Sequence, residues 1–154
     1  MQIIEGGLEN PLVIALLHHH VATARAATAE GSAHALDLTG LRASDVRFWS
    51  AWERESLLGI GALKRLSPNH GELKSMHTVE AMRGRGVGSA ILRHIVDTAR
   101  RAGMCRLSLE TGASDYFRPA RALYYSHGFA DCEAFGDYRP DINSIFLSLE
   151  LNQP

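Results

Sequence analysis

The chain has 154 residues, of which 45% are hydrophobic and 21% charged, and its formal net charge is −1. That length suits one domain, 1–154, burying roughly two-thirds of the surface its unfolded chain exposes, and the composition carries no signature of disorder. Near-neutral charge without a basic stripe excludes a nonspecific nucleic-acid binder. Cys105 and Cys132 have no metal-ligand spacing and require no disulfide framework, which makes a reducing cytoplasm the expected compartment. The N-terminus lacks a basic stretch followed by a long apolar run. The apolar residues 11–17 fall far short of the roughly 20 that a membrane span needs, so a soluble, unprocessed protein with no membrane partner is expected.

In chain order, Ile3 and Ile4 read as a short strand. Asn10-Pro11 then opens a helix over about residues 11–25, because Asn is a good N-cap and Pro at the first helical position loses no intrahelical bond. Residues 24–31 read as a helical tail or loop. From Val46 to Trp52 apolar and polar residues alternate as in a half-buried strand. Residues 53–56 turn into the apolar strand 57–63, and Ser67-Pro68-Asn69-His70-Gly71 turns into an antiparallel strand over 72–79. The second half alternates strand and helix. Val87, Ile91, Ile95, Ala99 and Ala102 repeat at helical spacing up to the stop at Gly103, and 105–110 reads as a strand. Pro119 starts a helix that ends at Gly128, and strands follow over 129–135 and 144–151. The expectation is an α+β fold, a mixed, mostly antiparallel sheet of six or seven strands flanked by helices.

The strongest local signal is Arg83-Gly84-Arg85-Gly86-Val87-Gly88-Ser89, set between a strand and an amphipathic helix. Three glycines let the backbone approach a ligand, and the helix start offers unpaired N–H groups and the positive end of its dipole. Together they make an anion site suited to a pyrophosphate. A Walker A loop is excluded because no Gly-Lys pair follows. A dinucleotide-binding loop belongs after the first strand of a βαβ unit, whereas this one follows a meander.

The segment Arg83-x-x-Gly86-x-Gly88 resembles the acyl-CoA signature of GNAT-superfamily N-acetyltransferases. Further on, Ala120-x-x-Leu123-Tyr124-x-x-x-Gly128-Phe129 is similar to that family's second signature. The likeness covers residues 56–151, and Phe135-Gly136-Asp137-Tyr138 resembles a segment of bacterial small-molecule-type members. It implies the GNAT fold, with splayed fourth and fifth strands, and acetyl-CoA as cosubstrate for acetylation of a small-molecule primary amine in a ternary complex. A protein or peptide amine, or a CoA-binding module without catalysis, remain the alternatives. By the same likeness Arg83, Gly84, Arg85, Gly86, Val87, Gly88 and Ser89 bind the cosubstrate, the backbone N–H groups of Arg85, Gly86, Gly88 and Ser89 holding its pyrophosphate. Met76 and Thr78 pair through their main chain with pantetheine, and Tyr124 protonates the leaving thiolate. Tyr124, beside Leu123 and Tyr125, also fits a core residue.

An amine must be neutral to attack, so a base is expected, directly or through water. Glu72, on the strand phase of Met76 and Thr78, and Glu110, at the end of the next strand, are the candidates. Either also fits a structural role. His18-His19-His20 cannot share one ion on a helix, because consecutive side chains diverge, so no metal is expected. The family's first helices cover the acceptor pocket, which makes His20, Arg25 and His34 acceptor contacts, with Phe117, Tyr138, Asp141 and Asn143 facing them. Members often pair through terminal strands, and the last strand offers an edge for a homodimer.

Overall fold

A single seven-stranded sheet, in the order β1-β2-β3-β4-β5-β7-β6, organises the computed structural model, which describes residues 1–151. The strands are β1 (Gln2–Glu5), β2 (Val46–Glu53), β3 (Ser56–Ser67), β4 (His70–Thr78), β5 (Arg106–Gly112), β6 (Ala130–Asp131) and β7 (Ser144–Glu150). The helices are α1 (Pro11–Ala26), α2 (Leu38–Leu41), α3 (Val87–Arg101) and α4 (Arg118–Ser126). All strand pairs are antiparallel except β4–β5. The α+β expectation and the antiparallel meander hold.

The two faces carry separate cores. On one, Val13 and Leu17 of α1, with Leu41 of α2, cover Phe48, Leu57, Ile60 and Ala62. Asn10 starts α1 by accepting from the Leu12 N–H, and Pro11 follows at the first position. On the other face, Val87, Ile91, Ile95 and Ala99 of α3 pack on Trp49, Leu58, Leu63 and Leu73. Gly61 permits this close approach, since a Cβ there would stand 2.8 Å from Ile91 and from Met76 Sδ.

Two local expectations change. The first helix ends at Ala26, within the expected tail or loop, and further on the chain makes the single turn of α2, capped by Asp37, which is too short to show periodicity. The strand expected over 129–135 shrinks to Ala130–Asp131 because Phe135 leaves the sheet to pack against His70, Tyr138 and Phe146. β7, offered as a dimer edge, lies between β5 and β6, and the Cys132 N–H bonds the Phe146 carbonyl, so that edge is covered there.

Two irregularities of β4 position the site. Ala62 pairs with Lys74 and Ile60 with His77, so Ser75 and Met76 together oppose Gly61 in a bulge, and Ser75 sits in the left-handed region at φ 58°. A bulge bends its strand and sharpens the twist. β4 is paired with β5 only over His70–Glu72, opposite Arg106–Ser108. Beyond that the two strands part, as the family resemblance implied.

Candidate active site

The glycine loop is built to leave donors free. Gly84 and Gly86 take φ of 78° and 81°, which only glycine adopts without strain, and a Cβ at either would meet nothing within 4 Å. Gly86 caps α3 with no side-chain bond, and Ala90 is the first residue whose N–H reaches back, to the Gly86 carbonyl. The N–H groups of Val87, Gly88 and Ser89 therefore have no intrahelical acceptor. Gly88 is small for another reason, since its Cβ would come 3.1 Å from Leu123 and 3.6 Å from Thr78 Oγ1. Val87 itself is core. The Ser89 hydroxyl meets His127 Nε2 at 3.1 Å.

From this loop β4 leads back along the gap to a cavity of about 100 Å³. Ser75 and Met76 border it from β4, Glu110 and Thr111 from β5, Phe117 and Tyr124 from around α4, and His20 and His34 from the opposite side. Tyr124 is buried, which pushes its phenol above the usual range and keeps the hydroxyl protonated. Burial also raises the Glu110 carboxyl; the Ser144 hydroxyl, His34 and Lys74 oppose this, and Glu72 adds to it. Ser75 Oγ, inaccessible to solvent and without a hydrogen-bond partner among the described residues, sits at the bulge.

Next to it lies an open cavity of about 450 Å³, lined by Lys64, Glu72, Tyr138, Arg139 and Asp141, and sharing His34 and Lys74 with the first. At its floor Lys74 Nζ donates to Glu72 Oε2 at 3.1 Å and to the Tyr138 hydroxyl at 2.9 Å, and Tyr138 donates to the same carboxylate oxygen. The Lys74 and Glu72 side chains are only 9% and 4% exposed, so this is a buried, compensated pair rather than a surface one. The His34 ring meets the Tyr138 ring edge-on at 5.0 Å.

The residues singled out in the sequence divide accordingly. Tyr124, Glu110, His20, His34, Phe117 and Met76 share the smaller cavity, while Glu72, Tyr138 and Asp141 line the larger one. Arg25 is exposed and outside both linings. Asn143 acts one step back, bonding the Asp141 carboxylate through its N–H and reaching Ser32 at 3.5 Å. The shared phase of Glu72 with Met76 and Thr78 does not survive. The bulge reverses the alternation, sending Met76 and Thr78 toward α3 while Glu72, Lys74 and His77 face α1. Lys74, Ser75 and His77 were missed. Lys74, one of only two lysines, was the available signal, whereas nothing in the local sequence announces a bulge.

Comparison with known proteins agrees with this geometry. The family model described as Acetyltransferase (GNAT) family matches residues 15–129. An uncharacterized N-acetyltransferase of Escherichia coli (strain K12), YedL, is 51% identical over 144 residues, covering 94% of this chain and 91% of the relative. An IAA acetyltransferase of Azospirillum brasilense is 40% identical over 121 residues, 78% of either chain. A solved structure from Klebsiella pneumoniae subsp. pneumoniae, provisionally named an acyl-CoA N-acyltransferase, superimposes with a TM-score of 0.82 at 26% identity over 98% of this chain and 97% of that one. With the glycine loop, the parted strands and these relatives together, the chain belongs to the GNAT acetyltransferase family and is an N-acetyltransferase.

Proposed function

We propose that the protein transfers the acetyl group of acetyl-CoA to the primary amine of a small molecule, by direct attack in a ternary complex. The observation that carries this reading is that β4 joins the free N–H groups of the glycine loop to the cavity bordered by Glu110 and Tyr124. The loop fits a diphosphate: Gly84 and Gly86 are open to the outside and the donors at the start of α3 have no acceptor within the helix. Arg83 and Arg85 add positive charge beside the N–H groups of Arg85, Gly86, Gly88 and Ser89. Met76 and Thr78 have no β5 partner across the gap, so their main-chain groups are available to the pantetheine amides.

When bound, acetyl-CoA supplies a thioester carbonyl open to attack by a neutral amine. Of the two carboxylates, Glu110 fits the base, because burial raises its proton affinity and, among the described residues, it makes no ion pair, Lys74 acting on it only from beside Glu72. Glu72 is already engaged by Lys74 and Tyr138, so it orders the floor of the acceptor cavity. Tyr124, held protonated by burial, donates to the departing thiolate. The larger cavity, of about 450 Å³, suits a small molecule, and the relative named IAA acetyltransferase supports the same direction. A supply of acetyl-CoA and the free Cys105 and Cys132 fit a cytoplasmic enzyme.

The test is incubation with acetyl-CoA and a panel of small primary amines, reading released thiol and the mass of the product, beside calorimetry of CoA binding. Gly86→Asp, which sets a carboxylate against the phosphates, should weaken CoA at least about tenfold, or about 1.4 kcal/mol. Unchanged affinity overturns the loop assignment, and turnover with peptide amines alone overturns the small-molecule acceptor.

A further inference from the structure

Two imidazoles meet at the wall of the transfer cavity. His20 of α1 and His77 of β4 bring Nδ1 against Nδ1 at 2.9 Å, with the rings edge to face. That contact requires unequal partners, one Nδ1 carrying the proton and the other accepting it, because two imidazolium rings would set donor against donor. Burial, then the neighbouring His19 and Lys74, lowers His20 to about 4. Burial, then His20, His19 and Arg83, lowers His77 to about 3, so both rings are neutral near pH 7. His20 borders the cavity together with Glu110 and Tyr124. With its Nδ1 bonded to His77, its free ring nitrogen is Nε2. His77 is half-exposed, and its ring meets that of the exposed His19 at 5.6 Å. The pair therefore spans the wall, from cavity to solvent.

Resting on the amine-transfer reading, we infer that His20 and His77 form a relay that exports the proton released by each acetylation. An ammonium and a thioester yield an amide, a thiol and one proton, and Glu110 cannot keep that proton through the next turnover. As the proton reaches His20 Nε2, the Nδ1 proton of His20 passes to His77 Nδ1, and His77 releases its Nε2 proton to water. Both rings end neutral, with the hydrogen bond between them reversed; once the products have left and water fills the cavity, His20 gives its Nε2 proton to that water while His77 takes one from solvent, which restores the starting tautomers with one proton exported per turnover. The Ser75 bulge is what makes the relay available, since an unbroken alternation would turn His77 away from α1.

The first test reads the free protein and needs no acceptor. Long-range proton–nitrogen correlation spectra of ¹⁵N-histidine-labelled protein, between about pH 5 and 8, should show His20 as the Nδ1–H tautomer and His77 as the Nε2–H tautomer. The opposite polarity at rest, or a charged ring in that range, overturns the relay. The second test is thiol release from acetyl-CoA with ethanolamine, or with the fastest amine of the panel. His77→Gln keeps a partner for His20 but cannot pass a proton. It should retain CoA affinity and lose about tenfold or more in kcat, with the loss shrinking on addition of imidazole and at high pH, where the amine arrives neutral. Full kcat in His77→Gln, or a loss that neither imidazole nor high pH relieves, overturns the relay while leaving acetyl transfer intact. A wild-type protein that acetylates no amine overturns both.

Discussion

Glu72 and Glu110 show how one residue type takes two charge environments from its surroundings. Glu110 is desolvated without a cation of its own, so its folded-state pKa stands above its unfolded value. Its contribution to stability is full below the unfolded pKa and is lost as pH rises through the folded one, so ionisation is a burden near neutrality. Glu110→Gln should therefore hold or raise the urea midpoint at neutral pH, while kcat/KM falls and recovers as pH approaches the amine's own pKa. Glu72→Gln removes the charge that compensates buried Lys74, and breaking such a pair costs about 3–5 kcal/mol. A large drop in midpoint is its expected signature, with no recovery of activity at high pH. Rescue by high pH in Glu72→Gln alone would reverse the roles. Tyr124→Phe keeps the packing on Phe129 and removes only the donor. CoA affinity should be unchanged and kcat should fall by about a hundredfold where chemistry limits the rate.

At the scale of the element, β4 is the decisive strand. Its bulge holds Ser75, a residue with a Cβ, at φ 58°, with a buried hydroxyl that has no partner among the described residues. Both features are unfavourable: an occupied left-handed position costs about 1–3 kcal/mol and an unsatisfied buried polar group about 1–3 kcal/mol. Their persistence at the mouth of the cavity is what strain at a functional site looks like. Ser75→Gly should fold at least as stably as wild type by urea denaturation. Ser75→Val, a branched side chain in the same conformation, should lose about 2 kcal/mol or more. Equal stabilities would mean that the bulge rearranges freely. Crystallography of the Val variant would then show whether His77 still faces α1.

For the whole molecule, acid stability follows from the two imidazoles that join the α1 face to the sheet. Their folded values, about 4 for His20 and about 3 for His77, lie below the ordinary 6.5. The unfolded chain thus binds more protons in that interval, so their stabilisation is present above about pH 6.5 and is lost as pH falls toward 4 and then 3. Denaturation midpoints should decline over that window. A His20→Asn, His77→Asn double variant should show a shallower decline, measured across the same pH series. An unchanged slope would place the acid sensitivity elsewhere.

The sequence alone determined what repeats or punctuates. Asn10-Pro11 fixed the start of α1, the helical spacing from Val87 fixed the buried side of α3, and the glycines of residues 84–88 marked the turn into α3 proposed to hold the diphosphate, because each depends on local backbone rules. The two family signatures then carried the fold, including the parting of β4 from β5. What remained hidden depends on partners distant in the chain. Period-two alternation put Glu72 with Met76, and only pairing with β3 reveals that Ser75 and Met76 share one partner and reverse the phase. Phe135 left its expected strand for aromatic neighbours on β4 and β7, which no window of sequence contains. Lys74, Glu72 and Tyr138 converge across 64 and 66 residues of chain, and His20 meets His77 across 57. Local propensity sets where strands and helices begin. Which side chains share a buried space, and hence which carboxylate is free to act, was decided by tertiary packing, because charge compensation and desolvation exist only once those distant groups are brought together.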